Sequence, residues 1–319
     1  MKKNTTIKNS IISFILLLAV TLPRFNGNQI IVKQVSYDAK YFESYIHYFR
    51  GEPLTQPLRP ASNWRMLTPF VASWLPFSPA TSINLLNLFF LMAALFVFYK
   101  TLAHLNIQTS KIWQSLWLFI LSFPTFYYSC ISYVEPGVIF FISMGIYAVL
   151  KENIWLFYVS VLLGLLVKET IVLLFPFSLT YYWVKQQKKI VLYHMFAFIL
   201  IVFEYILIRK LAPVSEGVSA DVFWKASFNS VQTNLYRIHT WLSFILSFGL
   251  VGFLFVKSLL HHPLTEIKTN SLVLASIAGI LGAMLLYLIS YFTTIADGRI
   301  IWQSYFFLLI IINQKKQEV

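Results

Sequence analysis

The sequence predicts an all-α, polytopic integral membrane protein of about ten transmembrane helices, forming a single transmembrane domain over residues 1–319. Three observations predict it. Of 319 residues, 58% are hydrophobic and 12% charged, with mean hydropathy +0.69, outside the range of soluble domains. Apolar runs recur along the chain between short polar stretches, the pattern of membrane-spanning helices. The basic residues are also sorted by type. All seven arginines fall on one predicted side, and the thirteen basic residues on the other are lysines.

The runs lie near 8–25, 82–103, 112–130, 136–150, 154–167, 170–184, 190–208, 239–257, 271–295 and 301–313. Those at 136–150, 154–167 and 170–184 are short for a bilayer that takes about twenty residues per span, so one pair could be re-entrant. The first run follows Met1-Lys2-Lys3 as a signal sequence would. Thr21-Leu22-Pro23-Arg24-Phe25 is too bulky for a cleavage site, which predicts a retained signal anchor.

Lysine in short loops orients a polytopic chain. Lys2, Lys3, Lys8, Lys100, Lys111, Lys151, Lys185, Lys188, Lys189, Lys257, Lys268, Lys315 and Lys316 stand against Glu152, Glu266 and Glu318 on one face. Both termini are therefore expected inside. The formal charge of +13 reports orientation; no basic stripe with interleaved aromatics indicates nucleic acid. A single cysteine, Cys130, excludes an internal disulfide, and the six histidines show no metal-ligand spacing.

Two long outer loops remain, 26–81 and 209–238. In the first, Tyr37, Tyr41, Tyr45, Tyr48 and Phe49 recur at helical spacing, with Ser36 or Asp38 to start the helix and Gly51 and Pro53 to end it. An aromatic-faced helix of this kind lies in the membrane interface. The stretch Asn63 to Pro76 is too short and proline-broken to span, and predicts a second interfacial or re-entrant helix. The second loop carries Arg209, Lys210, Lys225 and Arg237 without a motif.

Arginine grips phosphate and carboxylate in a fixed planar geometry, so arginines gathered on one face point to an extracytoplasmic anion site. Arg65 is the leading phosphate ligand, although an arginine beside Trp64 also suits headgroup snorkelling. Prolines hold Arg59 on a stiff turn, while Arg50 also suits its helix's C-terminal dipole. Lys168-Glu169 sits between two short apolar runs, where ionisable groups need a partner or a wet cavity. Glu135 precedes Pro136 at a helix start that favours a carboxylate. Glu204, inside the seventh run, can pair with Arg209-Lys210. Asp297-Gly298 has turn chemistry, and Arg299 follows it as a further phosphate candidate.

Tyr37-Asp38-Ala39-Lys40-Tyr41 followed by Arg65-Met66-Leu67-Thr68-Pro69 resembles the early loop of the GT-C-fold membrane glycosyltransferases. Gly164 to Thr170, with its Lys-Glu turn, and Ala296-Asp297-Gly298-Arg299 are similar to later elements of the same group. The resemblance implies transfer of a hexosyl or pentosyl group from a polyprenyl-phosphate-linked donor to a glycan, lipid or protein acceptor outside a bacterial cytoplasmic membrane. It implies Asp38 as base, with Arg65, Arg299, Lys168 and Arg59 handling phosphate and Glu169 and Glu135 as acidic partners. An apolar groove would hold the polyprenyl tail. The sequence requires no cofactor; such families can use a divalent metal, but no acidic cluster here demands one. Asp38 also serves as an ordinary helix cap.

Two other classes compete. An O-antigen-type polymerase or ligase is also arginine-rich outside, but places its key loop later in the chain. A transporter or flippase for an anionic lipid or solute favours repeats and charges at midplane, and neither is evident here.

Overall fold

The computed structural model describes residues 2–27, 37–54, 56–58, 64–213, 228–261, 269–293 and 296–314. Every described element is helical: α1 (Lys2–Thr21), α2 (Tyr37–Arg50), α3 (Leu67–Ser73), α4 (Pro79–His104), α5 (Thr109–Ile120), α6 (Phe123–Tyr128), α7 (Glu135–Leu150), α8 (Ile154–Val167), α9 (Leu174–Val184), α10 (Lys188–Leu211), α11 (Phe228–Tyr236), α12 (Ile238–His261), α13 (Ser271–Thr293), α14 (Arg299–Gln303) and α15 (Tyr305–Asn313). Short 3-10 turns follow α1 and α8. Local chemistry sets several starts. Ser78 accepts from Thr81 N with Pro79 in the first turn of α4; Ser122 and Pro124 do the same for α6, and Asn153 caps α8.

Among the described residues, five helices are long and apolar enough to cross a membrane: Thr6–Phe25, Pro79–His104, Lys188–Leu211, Ile238–His261 and Ser271–Thr293. Their exposed surfaces carry large apolar side chains, as along α10 at Leu192, Phe196, Ile199, Phe203 and Leu207. Water tolerates no apolar surface of that extent, whereas lipid does. The chain is an all-α integral membrane protein.

Length does not decide burial, since α4 is both long and mostly buried. α10 and α12 are long and mostly exposed, while α7 is short and buried nearly throughout. Surrounded by protein, α7 need not match the lipid, whereas α8 packs one face inward and exposes Trp155, Val159 and Leu163 on the other. Small residues let these helices approach closely: a Cβ at Gly164 would stand 2.6 Å from Ile171, and one at Gly279 would stand 2.9 Å from Phe307. Phe98, Phe119 and Phe306 stack near the centre, with Trp302 against Phe119.

The short inner helices create a recess at one end of the bundle. Asn84 Oδ1 accepts from Ser132 N (2.7 Å) and Asn87 Nδ2 donates to Tyr133 O (2.6 Å). The start of α7 is thereby held about 8–12 Å along α4 from Pro79, at about 1.5 Å rise per residue. Beside it, α3 dips in until Thr68 lies against Gly137, as a re-entrant helix would. Across the bundle Gly298 packs on Ser243 and Ser247 of α12, well inside that helix's start. Asn234 holds this return by donating to Tyr291 O (2.8 Å) and accepting from Ala296 N (3.1 Å).

Candidate active site

Five ionisable side chains chosen from the sequence meet in this recess, supplied by four separate segments. Arg65, just before α3, grips Glu169 with both ends of its fork: Nη2 to Oε1 at 2.5 Å and Nε to Oε2 at 3.0 Å. Lys168, at the end of α8, donates from Nζ to Glu135 Oε1 at 2.5 Å. Arg299, opening α14, reaches the same oxygen at 3.6 Å and pairs with Asp297 Oδ2 through Nε at 2.7 Å. Its guanidinium also lies 4.4 Å from the centre of the Tyr133 ring.

Each member is placed by its local structure. Glu135 and Pro136 occupy the first turn of α7, where a carboxylate meets the positive end of the helix. At Lys168 the backbone turns extended, ending α8 and letting the 3-10 turn begin at Glu169. Adjacent residues thus serve two ion pairs on different partners. Asp297 performs the turn role expected of it, accepting from Arg299 N at 2.9 Å, and its second oxygen joins the cluster.

Three cations face three carboxylates, so the cluster is charge-balanced. Burial alone would raise the Glu135 carboxyl. Lys168 and Arg299 outweigh it and hold the group down, to about 2. Burial likewise opposes ionisation of Glu169, and Arg65 overrides it to keep that carboxyl below its ordinary range. Burial, joined by the like charges of Arg65 and Arg299, lowers Lys168 against the pull of Glu135. Glu135 Oε2 is buried without a hydrogen-bond partner among the described residues, as are Thr68 Oγ1 and Thr170 Oγ1. Glu135 is thus held by one oxygen, with the other available to a donor such as a ligand hydroxyl.

Two of the selected residues lie outside this account. Arg59 falls outside the described residues, and so does the side chain of Asp38, whose backbone is the second residue of α2. Arg50 has a structural task, donating to Ser73 O, Leu75 O, Phe77 O and Ser82 Oγ, which fastens the α3–α4 corner. Arg209 covers the Trp64 ring at 4.3 Å and forms no ion pair with Glu204.

Glu43 and Tyr133 were not singled out from the sequence. Glu43 shares its helix face with fully buried Ala39 and Ile46, a spacing of four and three that could have marked it as inward-facing. Burial raises its carboxyl above the ordinary range, against a hydrogen bond from Ser132 and the charges of His47 and Lys40. Ser132 is itself unusual, a buried non-glycine residue at φ 59°, a conformation costing about 1–2 kcal/mol. Asn84 holds it there, three residues before Glu135. Glu43 is a carboxylate beside the recess with no ion-pair partner among the described residues.

Among those residues no group of three or more His, Cys, Asp or Glu side chains converges as a metal site would. No family model, characterised protein or solved structure matches the chain.

Proposed function

We propose that this protein is a membrane glycosyltransferase of the GT-C type, moving a sugar from a polyprenyl-phosphate-linked donor to an acceptor on the extracytoplasmic side of a bacterial cytoplasmic membrane. In this reading the chain crosses ten times. The five long helices are joined by α5 with α6, α7, α8, the second 3-10 turn with α9, and α14 with α15. Both termini lie inside, and the recess opens outside.

The observation that carries the proposal is the convergence of Arg65, Glu135, Lys168, Glu169 and Arg299 from distant segments into one recess. The carboxylates hold the cations at fixed positions before any ligand arrives, so little ordering remains to be done in the transition state. As the acceptor oxygen attacks the anomeric carbon, the bond from that carbon to the phosphate oxygen breaks. The electron pair leaves on the phosphate, where Lys168, Arg65 and Arg299 stabilise it. The acceptor's hydroxyl proton passes to a carboxylate. Asp38 holds that role by the resemblance; Glu43 is the second candidate, as a carboxylate beside the recess with no ion-pair partner among the described residues.

The test is surface-glycan mass spectrometry in a deletion strain carrying wild type, Asp38→Asn or Glu43→Gln at matched expression. Wild type should restore a sugar that one of the two variants does not, identifying the base. Full restoration by both removes both carboxylates from the chemistry. A deletion that alters no glycan refutes the transferase reading.

A further inference from the structure

Away from the ion-pair cluster, the same end of the molecule buries a cation that no carboxylate among the described residues balances. Arg24, in the turn that ends α1, is 8% exposed, and its Nε has no hydrogen-bond partner among the described residues. Its guanidinium lies 4.3 Å from the centre of the Tyr127 ring and 6.0 Å from that of Phe126. Tyr127 Oη stands 3.4 Å from Nε2 of His239, an exposed residue at the start of α12. Cation–π contact stabilises the arginine only in part, and a buried charge without a counterion is costly. Arg65, Lys168 and Arg299 meet that cost with carboxylates; among the described residues Arg24 has none.

Directly beneath lies an apolar groove of about 590 Å³ between α5 and α12, lined by Trp117, Leu118, Leu121, Phe123, Leu246 and Leu250 among others. Phe123 at its upper edge stacks on Tyr127 at 5.1 Å and 18°, so groove and cation share one aromatic wall. The groove follows from a break in α12 at Gly249, where φ is 42° and ψ −142°. That left-handed backbone favours glycine, while a Cβ there would meet nothing within 4 Å. Leu121, Leu246 and Leu250 are exposed, so the groove opens sideways onto the surface that faces lipid. Along α12, Leu246 is about 10 Å from His239 at about 1.5 Å per residue, comparable to the reach from a lipid phosphate into its acyl chains.

We propose that Arg24 and His239 bind the phosphate of an anionic phospholipid of the bilayer, with one acyl chain seated in the α5–α12 groove. Charge selects the headgroup, because the Arg24 guanidinium, with no acid paired to it among the described residues, favours a net anionic lipid over a zwitterionic one, while His239 offers a ring nitrogen beside it. The groove is already in contact with bilayer lipid, so the occupant needs no route to it. This site is independent of the transferase reading and uses none of its residues.

The test is native mass spectrometry of the full chain released from nanodiscs of equal phosphatidylglycerol and phosphatidylcholine. Wild type should retain phosphatidylglycerol over phosphatidylcholine by at least about fivefold, the effect of one cation on an anionic headgroup. Arg24→Gln should bring the ratio toward one, and His239→Gln, on an exposed residue, should lower it without endangering the fold. Leu246→Trp should reduce retention of both lipids by filling the groove. An unchanged ratio in both charge variants overturns the headgroup assignment, and unchanged retention in Leu246→Trp overturns the groove. If protein purified from its native membrane instead carries an isoprenoid phosphate there, the phospholipid assignment is wrong.

Discussion

The Lys168–Glu135 pair allows structure and chemistry to be separated in one thermodynamic cycle. Both side chains are buried, at 7% and 1% exposure, with Nζ and Oε1 2.5 Å apart. Removing one partner of such a pair leaves an uncompensated buried charge and typically costs about 3–5 kcal/mol. Lys168→Met should fall at the lower end, near 3 kcal/mol, because Arg299 still reaches Glu135 Oε1 at 3.6 Å. Glu135→Gln should cost at least about as much, since it strands Lys168. The double variant removes both charges and leaves Arg65–Glu169 and Arg299–Asp297 intact. It should cost no more than about 3 kcal/mol in total, a coupling of about 3 kcal/mol. Reversible unfolding in mixed detergent–SDS micelles, followed by tryptophan fluorescence, measures all four corners. Additivity within about 0.5 kcal/mol would mean the two groups do not form a pair and would refute the reasoning. Activity then answers a separate question. A stable double variant should remain inactive if Lys168 handles phosphate; recovery of both fold and activity would make the pair purely structural.

Two further outcomes are expected. Glu43 has a folded-state pKa above its unfolded value, so its contribution to stability is full below the unfolded pKa and is lost as pH rises through the folded one. Glu43→Gln should therefore match wild type near pH 4 and become the more stable of the two toward pH 8 in the same unfolding assay; a difference that does not change with pH contradicts burial as the cause. Gly298→Ala places a Cβ onto Ser247 Oγ and the Ser243 carbonyl, and backbone cannot yield as a side-chain end can. It should destabilise by at least about 1–3 kcal/mol and reduce activity by displacing Arg299, whereas wild-type behaviour would show that α12 and this turn do not pack as described.

Individual residues show how far the sequence could be read. Thr68 and Pro69 marked a helix too short to span, and α3 dips toward Gly137 as a re-entrant helix would. Glu135, Lys168, Glu169, Arg65 and Arg299 stood out because ionisable groups among apolar runs are costly and need a reason. Their partners did not stand out. Arg65 and Glu169 are 104 positions apart, and no local periodicity encodes which carboxylate an arginine meets. Arg50 looked like a weaker ligand candidate, yet it fastens carbonyls of a corner more than twenty residues along the chain. Glu43 passed unnoticed because its face is defined by what α2 packs against.

The sequence by itself determined the class of this protein. Unbroken apolar runs long enough to cross a bilayer satisfy their own backbone polar groups in lipid as helices. It also marked which charged residues had to be accounted for. Only the tertiary structure decided that five of them share a recess, that carboxylates balance the cations there, and that Arg24 has none among the described residues. It also set the depth of the recess, because α7 is short and buried among its neighbours. Hydropathy is a local property carried by every short window of chain, whereas charge pairing and depth depend on which helices become neighbours.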